Sequence, residues 1–528
     1  MSATLLAVVV VAVLLAGLAR HYDVSAPLAL VVVGLLAGIL PGLPDMSLEP
    51  ELVLYVVLPP LLWSAGLESS SVALRRNVGP IALLAVGLPL ITTVAVGAVA
   101  YLIVPGFTLA AALALGAIVA PPDAVSATAI GRRLGLPRRM MTLLGGESLL
   151  NDATALTAYK VSLAAAIGAA TSLAGGLGTF ALAAVGGVVV GWLLGTMIIA
   201  IRSRLDDPVV ESAIGLVAPF LVYLIAETVH GSGVLAVVVA ALMLGHRSTR
   251  AGYATRLQDV AVWKALQLIL ESFAFLLIGL QLPSVVRELT GIRASTIIGS
   301  SLAVLATVIL VRVVWVYLGA YVPRWLSARV RDRDPAPTPA QLFVVAWAGM
   351  RGVVSLAAAF GVPLVTLAGE PFPGRPMLVF LTFVVVIGTL LLHGLTLPWV
   401  IRTLGVQGDD STSDTLAAAA AQERASLAAA ERLEELLASG SSDVQEQAAN
   451  VLRAWNNRRR NFAWEKLGRD DEEIGESPTS AFRRLRLEML AAEREAFIAE
   501  RDSGRIDDEV LRTVLYGLDL EEATLNRN

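Results

Sequence analysis

Thirteen long apolar runs limit, more than any other feature, how this chain can fold. Each approaches the length that a helix needs to cross the ~30 Å hydrocarbon core of a bilayer. They lie at about 3–19, 26–40, 52–67, 79–104, 108–130, 141–168, 177–201, 212–229, 232–245, 260–282, 295–321, 341–367 and 376–401. Since 56% of the 528 residues are hydrophobic and only 16% are charged, the pattern predicts an all-α polytopic membrane protein with about 13 transmembrane helices.

Two residue types narrow the chemistry that the chain can perform. The sequence contains no cysteine, which excludes disulfides, thiolate metal sites and cysteine nucleophiles. Its four histidines include no pair at the spacing of zinc ligands, so a zinc site is not expected. We also expect no bound organic cofactor and no nucleic-acid partner.

Arginine alternates between successive loops and predicts the orientation of the chain. Every second loop is rich in arginine, whereas the loops between them hold only Arg287, Arg293 and Arg375. Under the positive-inside rule, the arginine-rich loops and the C-terminus are cytoplasmic, and the N-terminus is outside the inner membrane. The first run, at 5–18, has no basic residue before it, so we interpret it as a spanning helix rather than a cleaved signal peptide.

Two apolar runs are interrupted at mid-span. The fifth contains Pro121 and Pro122, and proline in a helix interior unwinds it and frees backbone carbonyls. The twelfth contains Gly-Met-Arg-Gly at 349–352 in the matching position of the second half. This pairing predicts inverted six-helix repeats with two broken, crossing helices. Asp123 would offset the positive ends of the half-helices, and Arg351 the negative ends.

The composition changes after about residue 403. Residues 404–414 are a polar linker, and residues 415–528 are rich in Ala, Leu, Glu and Arg. The apolar faces of this part are modest, which is typical of amphipathic helices rather than further spans. We therefore predict three parts: a transmembrane domain at 1–403, the linker, and a cytoplasmic helical tail at 415–528.

A cluster of polar residues lies inside the sixth run, at 145–152. One carboxylate at the bilayer centre costs roughly 2.5 to over 10 kcal/mol, so such residues mark functional sites. Asp152 and Asp123, on consecutive runs, are interpreted as a carboxylate pair that binds a small cation or protons in its place. Ser148 lies one turn before Asp152 on the same helix face and offers the cation a neutral oxygen.

Other charged residues in the apolar runs have structural explanations beside functional ones. Glu68 is either a ligand at the inner mouth of the site or an interfacial residue. Glu147 and Arg312 are each too costly to bury alone, so we expect them to form an ion pair. Glu271 is expected to pair with an arginine of the second half, and Lys160 to extend to the outer interface.

Several of these motifs resemble the monovalent cation:proton antiporter-1 family, which includes NhaP-like bacterial sodium/proton antiporters and animal sodium/proton exchangers. The motifs are Pro-Asp at 122–123, Gly-Glu-Ser-Leu-Leu-Asn-Asp at 146–152, Glu271 with its Phe-rich run, Gly-Met-Arg-Gly at 349–352 and His-Gly-Leu-Thr-Leu at 393–397. The similarity covers about residues 1–403. It implies a homodimer with a core domain and a dimerisation domain that works by elevator-like alternating access.

The resemblance also assigns roles to individual residues. It implies that Asp152 carries the cation or the proton, that Ser148 and Glu68 assist it, and that Glu147 pairs with Arg312.

Two positions near Asp152 bear on stoichiometry and on selectivity. Electrogenic relatives carry two adjacent aspartates where this chain has Asn151 and Asp152. Because Asn151 cannot titrate, the resemblance implies electroneutral exchange of one cation for one proton. Many members carry Thr-Asp where this chain has Pro122 and Asp123, so Pro122 offers the cation only its backbone carbonyl.

Four functions remain to be compared on the sequence alone. The leading prediction is exchange of Na⁺ (or Li⁺) for H⁺, and a K⁺/H⁺ antiporter with the same site is the alternative. Two aspartates on neighbouring helices also allow an intramembrane aspartyl protease, although the Pro-Asp and Asn-Asp contexts do not match that class. A pH-gated sensor that signals through the charged tail is the fourth.

Overall fold

The computed structural model describes the chain except residues 1, 23, 41–52, 170–172, 206, 249–251, 334–335, 407, 409–410, 439–442, 466–477, 504, 507 and 527–528. Within the described residues the chain divides into two compact units, Met1–Gly408 and Asp409–Asn528. Both units are built from helices. Part of the predicted linker at 404–414 lies outside the described residues.

The first unit contains two π-helical turns, Val53–Val57 and Leu83–Gly87, and a series of α-helices. These α-helices are α1 (Ser2–His21), α2 (Ala26–Ile39), α3 (Leu58–Glu68), α4 (Ser71–Arg76), α5 (Val78–Ala82), α6 (Leu88–Ile103), α7 (Leu109–Val119), α8 (Ala124–Arg133), α9 (Arg138–Ala166), α10 (Leu173–Arg202), α11 (Pro208–Thr228), α12 (Gly233–Arg247), α13 (Tyr253–Arg287), α14 (Ala294–Leu326), α15 (Ala328–Arg333), α16 (Pro339–Trp347), α17 (Val353–Phe360) and α18 (Arg375–Thr403).

Each predicted apolar run coincides with a helix or with consecutive helical pieces in the described residues. Among the described residues, six stretches are long and apolar enough to cross a membrane by themselves, and five more are shorter apolar helices of 10–17 residues. The all-helical architecture is therefore confirmed, and the apolar helices support a location in the membrane. The count of 13 spans and the inverted repeat stay predictions.

The two predicted breaks are present. The chain leaves helical geometry between α7 and α8, at residues 120–123, and between α16 and α17, at residues 348–352. Proline lacks an amide hydrogen, so Pro121 and Pro122 cannot donate to the preceding turn. Each of the two π-helical turns ends two residues before a proline, Pro59 or Pro89. There the wider i→i+5 hydrogen bonding accommodates the amide donor that proline lacks.

Small residues allow helices α2 and α13 to lie very close together. A Cβ built on Gly34 would come within 3.0 Å of the Cα of Gly279. Only a residue without a side chain fits there, as at other close helix crossings in membranes. Most of the large buried side chains belong to one apolar core that surrounds both breaks.

The second unit consists of two helical hairpins. Its helices are α19 (Ser411–Ala438), α20 (Asp443–Glu465), α21 (Pro478–Asp502) and α22 (Asp508–Asn526). Arg453 joins α20 to α19 by two hydrogen bonds to Glu434, of 2.9 and 3.1 Å. Arg486 joins α21 to α22 by two bonds to Glu521, of 2.7 and 2.8 Å. Exposed pairs of this kind contribute little stability.

Candidate cation-binding site at the two helix breaks

The two breaks meet each other. The backbone amide of Asp123 donates to the carbonyl of Met350 over 2.7 Å. This bond joins the first break to the second at one point, although the two lie in opposite halves of the chain. Backbone polar groups that both breaks release from helical bonding therefore converge in one buried place.

Arg351 closes the carbonyl ends of the half-helices. Its side chain is fully buried, and its Nε donates to the carbonyl of Val119 over 3.1 Å. Its Nη2 lies 3.4 Å from the carbonyl of Ala120, and its Nη1 donates to the carbonyl of Gly349. Those carbonyls form the C-terminal ends of α7 and α16, where the helix dipole is negative and favours a cation. The structure thus gives Arg351 the position predicted from the sequence.

Asp123 lies at the amino end of a helix, α17. A Cβ built on Gly352 would come within 2.7 Å of a carboxylate oxygen of Asp123, so this carboxylate lies directly against the N-cap of α17. A negative charge is stabilised at that end of a helix. Gly352 leaves the space that the carboxylate occupies, and no side chain fits there without displacing it.

Asn151 connects α9 to the first break. It is fully buried, and its Nδ2 donates to the carbonyl of Pro122 over 2.9 Å. Its Oδ1 has no hydrogen-bond partner among the described residues. The carbonyl of Pro122 has a second lone pair that this bond leaves available. The bond brings Asp152, the next residue on α9, and Asp123, the next residue of the break, to the point where α9 meets the first break. We call this point the junction.

Asp152 is the carboxylate that the junction leaves available. Its side chain is only 8% exposed, and no hydrogen bond to it is found within the described part of the chain. Ser148 lies one turn earlier on the same face of α9. The junction therefore offers carboxylate, hydroxyl, amide and carbonyl oxygens, which are the ligands that hard cations prefer.

Glu147 and Arg312 form the buried ion pair that the sequence analysis expected. Both side chains are 1% exposed, and the guanidinium donates two bonds to the carboxylate, of 2.5 and 3.0 Å. Arg312 also donates to the carbonyls of Ala346, over 3.0 Å, and Val345, over 3.1 Å. The pair thus joins α9, α14 and the C-terminal end of α16, and removing one partner would leave an uncompensated buried charge.

Glu68 lies apart from the Asn151–Pro122 contact. It ends α3, is about half exposed, and pairs with Arg132 of α8 over 3.0 Å. It also lines a cavity of about 370 Å³ at the arginine-rich ends of α3, α10, α12 and α13. In the part of the chain that the structure describes, no hydrogen bond or ion pair joins Glu68 to the polar atoms at the breaks, so its contact with the cation remains a proposal.

One other expectation is corrected. Within the described residues Glu271 forms no ion pair with an arginine, and its carboxylate instead accepts a bond of 2.6 Å from Gln267, one turn earlier on α13. Side chains four residues apart lie on the same helix face, which makes this the nearest partner. Lys160 is largely exposed and its Nζ pairs with Glu227 over 2.7 Å; its extension to the outer interface stays a prediction.

Sequence reasoning missed a polar face of α18. Thr389 accepts the backbone amide of Arg351 over 3.1 Å, and Thr396 accepts the indole N–H of Trp347 over 2.8 Å. His393 lies between these two threonines on the same helix face. The His-Gly-Leu-Thr-Leu motif contains two of these residues, but nothing in the sequence alone shows that they face the second break.

The chain is similar to known proteins over most of its length. The sequence profile of the family described as "Sodium/hydrogen exchanger, transmembrane" matches residues 6–403. An uncharacterized Na⁺/H⁺ exchanger of Mycobacterium tuberculosis is 33% identical over 520 residues, covering 96% of this chain and 93% of that protein. A sodium, potassium, lithium and rubidium/H⁺ antiporter of Bacillus pumilus is 32% identical over 386 residues, covering 71% of this chain and 57% of that protein.

A solved structure shows the same fold. The sodium proton antiporter MjNhaP1 from Methanocaldococcus jannaschii, at pH 8, superposes with a TM-score of 0.62 at 21% identity. The superposition covers 76% of this chain and 98% of the antiporter.

Proposed function

The chain belongs to the sodium/hydrogen exchanger family, a family of multi-pass membrane transporters and not enzymes, and on that premise we propose that it exchanges Na⁺ or Li⁺ for H⁺ at Asp152. The alternative of an intramembrane protease is thereby wrong. In this proposal Asp152 binds either the cation or the proton, and Asp123, Ser148, Asn151 and the carbonyl of Pro122 supply further oxygens.

The observation that carries the proposal is the availability of Asp152. Glu147 is held by Arg312, and Asp123 lies against the start of α17. Asp152 has neither kind of partner among the described residues. A carboxylate that is buried without a partner charge is stable when it binds a proton or a cation. Since one carboxylate cannot hold both at full occupancy, the two ions compete, which is the requirement for exchange.

The balance of buried charges supports one-for-one, electroneutral exchange. The junction contains the carboxylates of Asp123, Glu147 and Asp152 and the guanidiniums of Arg312 and Arg351, while Asn151 is uncharged. With Asp152 ionised this set carries one net negative charge. One Na⁺ or one H⁺ neutralises it, so both loaded forms are neutral. Moving the empty, charged form through the membrane is costly, which couples the two ions in an elevator-type cycle.

Everted membrane vesicles test this function. Adding Na⁺ to vesicles with a preformed pH gradient is expected to collapse the gradient, and Asp152→Asn is expected to abolish the effect. Asp332→Asn, at an exposed residue of α15, is the matched control and keeps the activity. If the Asp152→Asn protein is inserted normally and exchanges ions at the wild-type rate, Asp152 is not the carrier.

One observation favours a second cation. The Bacillus pumilus relative is named for sodium, potassium, lithium and rubidium, and Pro122 offers no side-chain oxygen that would tighten the site around a small ion. We therefore keep K⁺/H⁺ exchange as the alternative. Proteoliposomes with Na⁺, Li⁺ or K⁺ as the only imposed gradient separate the two functions. We further propose a homodimer with the N-terminus outside and the C-terminus in the cytoplasm.

A further inference from the structure

The cavity of about 370 Å³ beside Glu68 lies apart from the residues of the proposed exchange site. Its lining comes from helices α3 and α10 to α13 and from the residues that follow α10 and α12. No lining residue belongs to α7, to α9 or to either break. Small organic ligands bind in cavities of roughly 300–1,000 Å³, so this one is large enough for a ligand of its own.

The cavity has a buried inner end and an exposed mouth. Arg247 and Arg256 lie at the mouth and are exposed. Residues that are less than 10% exposed line the inner end, and they are Ser64, Ile199, Arg202, Glu211, Leu244 and Trp263. A ligand therefore passes two positive charges at the mouth and then reaches a protected interior.

Glu211 is a buried charge in this interior. It is only 8% exposed, and its carboxylate makes no hydrogen bond or ion pair with any residue that the structure describes. It lies in the first turn of α11, but Asp207 already caps that helix by accepting from the amides of Val209 and Val210. A carboxylate shielded from water is costly unless a positive group lies against it. Glu211 is therefore suited to a cation from outside the protein.

The arginine at the inner end is engaged with a different carboxylate. Arg202 pairs with Asp259 over 2.8 Å, and the hydroxyl of Ser212 donates to the other oxygen of Asp259 over 2.7 Å. A Cβ built on Gly215 would lie 3.1 Å from Nη1 of Arg202, so this glycine leaves room for the guanidinium. Arg202 and Asp259 thus neutralise each other, and the charge of Glu211 remains.

We propose that this cavity binds a small organic cation that carries one ammonium group on an apolar body. The ammonium lies against Glu211, and the apolar body contacts Ile199, Leu244 and the indole of Trp263. Apolar walls with one well-placed charged group are typical of sites for small molecules, and an indole ring also attracts ammonium ions. The site does not include Asp152, so the inference goes beyond the proposed function.

The same lining disfavours two other kinds of cation. A bare metal ion prefers several oxygen ligands, whereas Asp259 is paired with Arg202 and Glu68 with Arg132. A polyamine would place its second ammonium group toward the exposed arginines at the mouth, which repel it. A monoamine avoids both difficulties.

Phenethylamine hydrochloride is the probe for this site, because it joins one ammonium group to one benzene ring. We expect calorimetric titration of the purified full-length protein in detergent to show one molecule bound per chain. Two compounds with the same ring, neutral 2-phenylethanol and anionic 3-phenylpropionate, are expected to bind at least about tenfold more weakly. Equal affinity for 2-phenylethanol overturns the inference, since the charge would then have no part in binding.

Glu211→Gln keeps the size of the side chain and removes its charge. We expect it to weaken phenethylamine binding about ten- to hundredfold, as loss of a hydrogen bond between charged groups predicts. Glu288→Gln, at an exposed residue just beyond α13, is the matched control and is expected to bind like the wild type. Unchanged affinity in Glu211→Gln overturns the inference.

A second variant tests the cavity without touching the carboxylate. Leu244→Phe enlarges a side chain of the inner end and leaves less room for the benzene ring of the probe. It is expected to weaken phenethylamine binding, and it decides the question if Glu211→Gln does not fold. Wild-type affinity in Leu244→Phe would show that the amine binds elsewhere.

The titration needs no ion gradient, so it can fail independently of the proposed function. Asp152→Asn is expected to bind phenethylamine with wild-type affinity although it does not exchange ions. Loss of binding in that variant places the amine at the junction and overturns the inference. A wild-type protein without Na⁺/H⁺ exchange but with the expected binding overturns only the proposed function.

Discussion

The two helix breaks use opposite chemistry. The first is formed by Pro121, Pro122 and Asp123, which provide carbonyls and a carboxylate but remove backbone donors. The second is formed by glycines around Arg351, which provides guanidinium donors and room for close contact. Each break supplies what the other lacks: Arg351 donates to the end of α7, and Asp123 lies against the start of α17. The polar groups that one unwound helix exposes inside the membrane thus find partners at the other break, which supplies the opposite kind of hydrogen-bonding group.

The comparison also separates the polar atoms that are available for ion binding from those that hold the protein together. Polar atoms that remain available lie on the first break and on α9, at Asp152, at the Oδ1 of Asn151 and at the carbonyl of Pro122. At the second break Arg351, Thr389 and Trp347 are engaged with protein atoms. We therefore expect changes at the second break to affect stability most, and changes at the first to affect stoichiometry and affinity.

The largest effect is expected from the second break. Arg351→Gln leaves the carbonyls at the ends of α7 and α16 with too few donors and removes a buried charge from the balance. We expect a loss of about 3 kcal/mol or more in stability, since each unsatisfied buried group costs about 1–3 kcal/mol, together with loss of exchange. Thermal unfolding in detergent measures the first and vesicle assays the second. A variant of wild-type stability would show that the two breaks do not depend on each other.

A change of stoichiometry is expected from α9. Asn151→Asp adds a second carboxylate beside Asp152 and removes the Nδ2 donor to Pro122. Because one bound cation no longer neutralises the junction, exchange is expected to become sensitive to an imposed membrane potential. Proteoliposomes clamped with K⁺ and valinomycin, with Na⁺ as the transported ion, measure this. Exchange that stays independent of potential, at a measurable rate, would contradict the charge balance proposed above.

A smaller effect is expected at the first break itself. Pro122→Thr adds a hydroxyl beside the junction while keeping the backbone carbonyl that Asn151 binds. We expect a several-fold shift in the ratio of the apparent KM values for Na⁺ and K⁺, with stability nearly unchanged. Pro122→Val, which has a similar shape and no hydroxyl, is the matched control. Equal ratios in both variants would show that this position does not contact the cation.

The smallest effect is expected far from both breaks, in the second unit. The hydrogen bonds from Arg453 hold the pKa of the Glu434 carboxyl below its usual value. The pair therefore stabilises the α19–α20 hairpin above the unfolded-state pKa near 4.5, and this contribution is lost as the pH falls through the lower folded value. Amide hydrogen exchange in these helices should be slightly faster in Glu434→Gln at pH 7. The difference should shrink in acid, and ion exchange should be unaffected.

Much of this arrangement is predictable because burying charge in a membrane is so costly. That cost alone pairs Glu147 with Arg312 and marks Asp152 and Asp123, and prolines and glycines at mid-span locate the breaks. The partner of Glu271 was missed because a glutamine on the same helix is closer than any arginine, and sequence spacing does not rank such competitors. The face of α18 was missed because threonine and histidine in a helix usually bond to their own backbone or to water, and only the packed structure shows what they face.

The bond between the Asp123 amide and the Met350 carbonyl also has a consequence for biogenesis. The site needs the fifth and the twelfth apolar runs together, so it does not exist while the chain is still being synthesised up to residue 352. A nascent chain that ends before residue 351 contains the carboxylates without Arg351 to complete their surroundings. We therefore expect a chain that terminates before that residue to be inactive as a carrier.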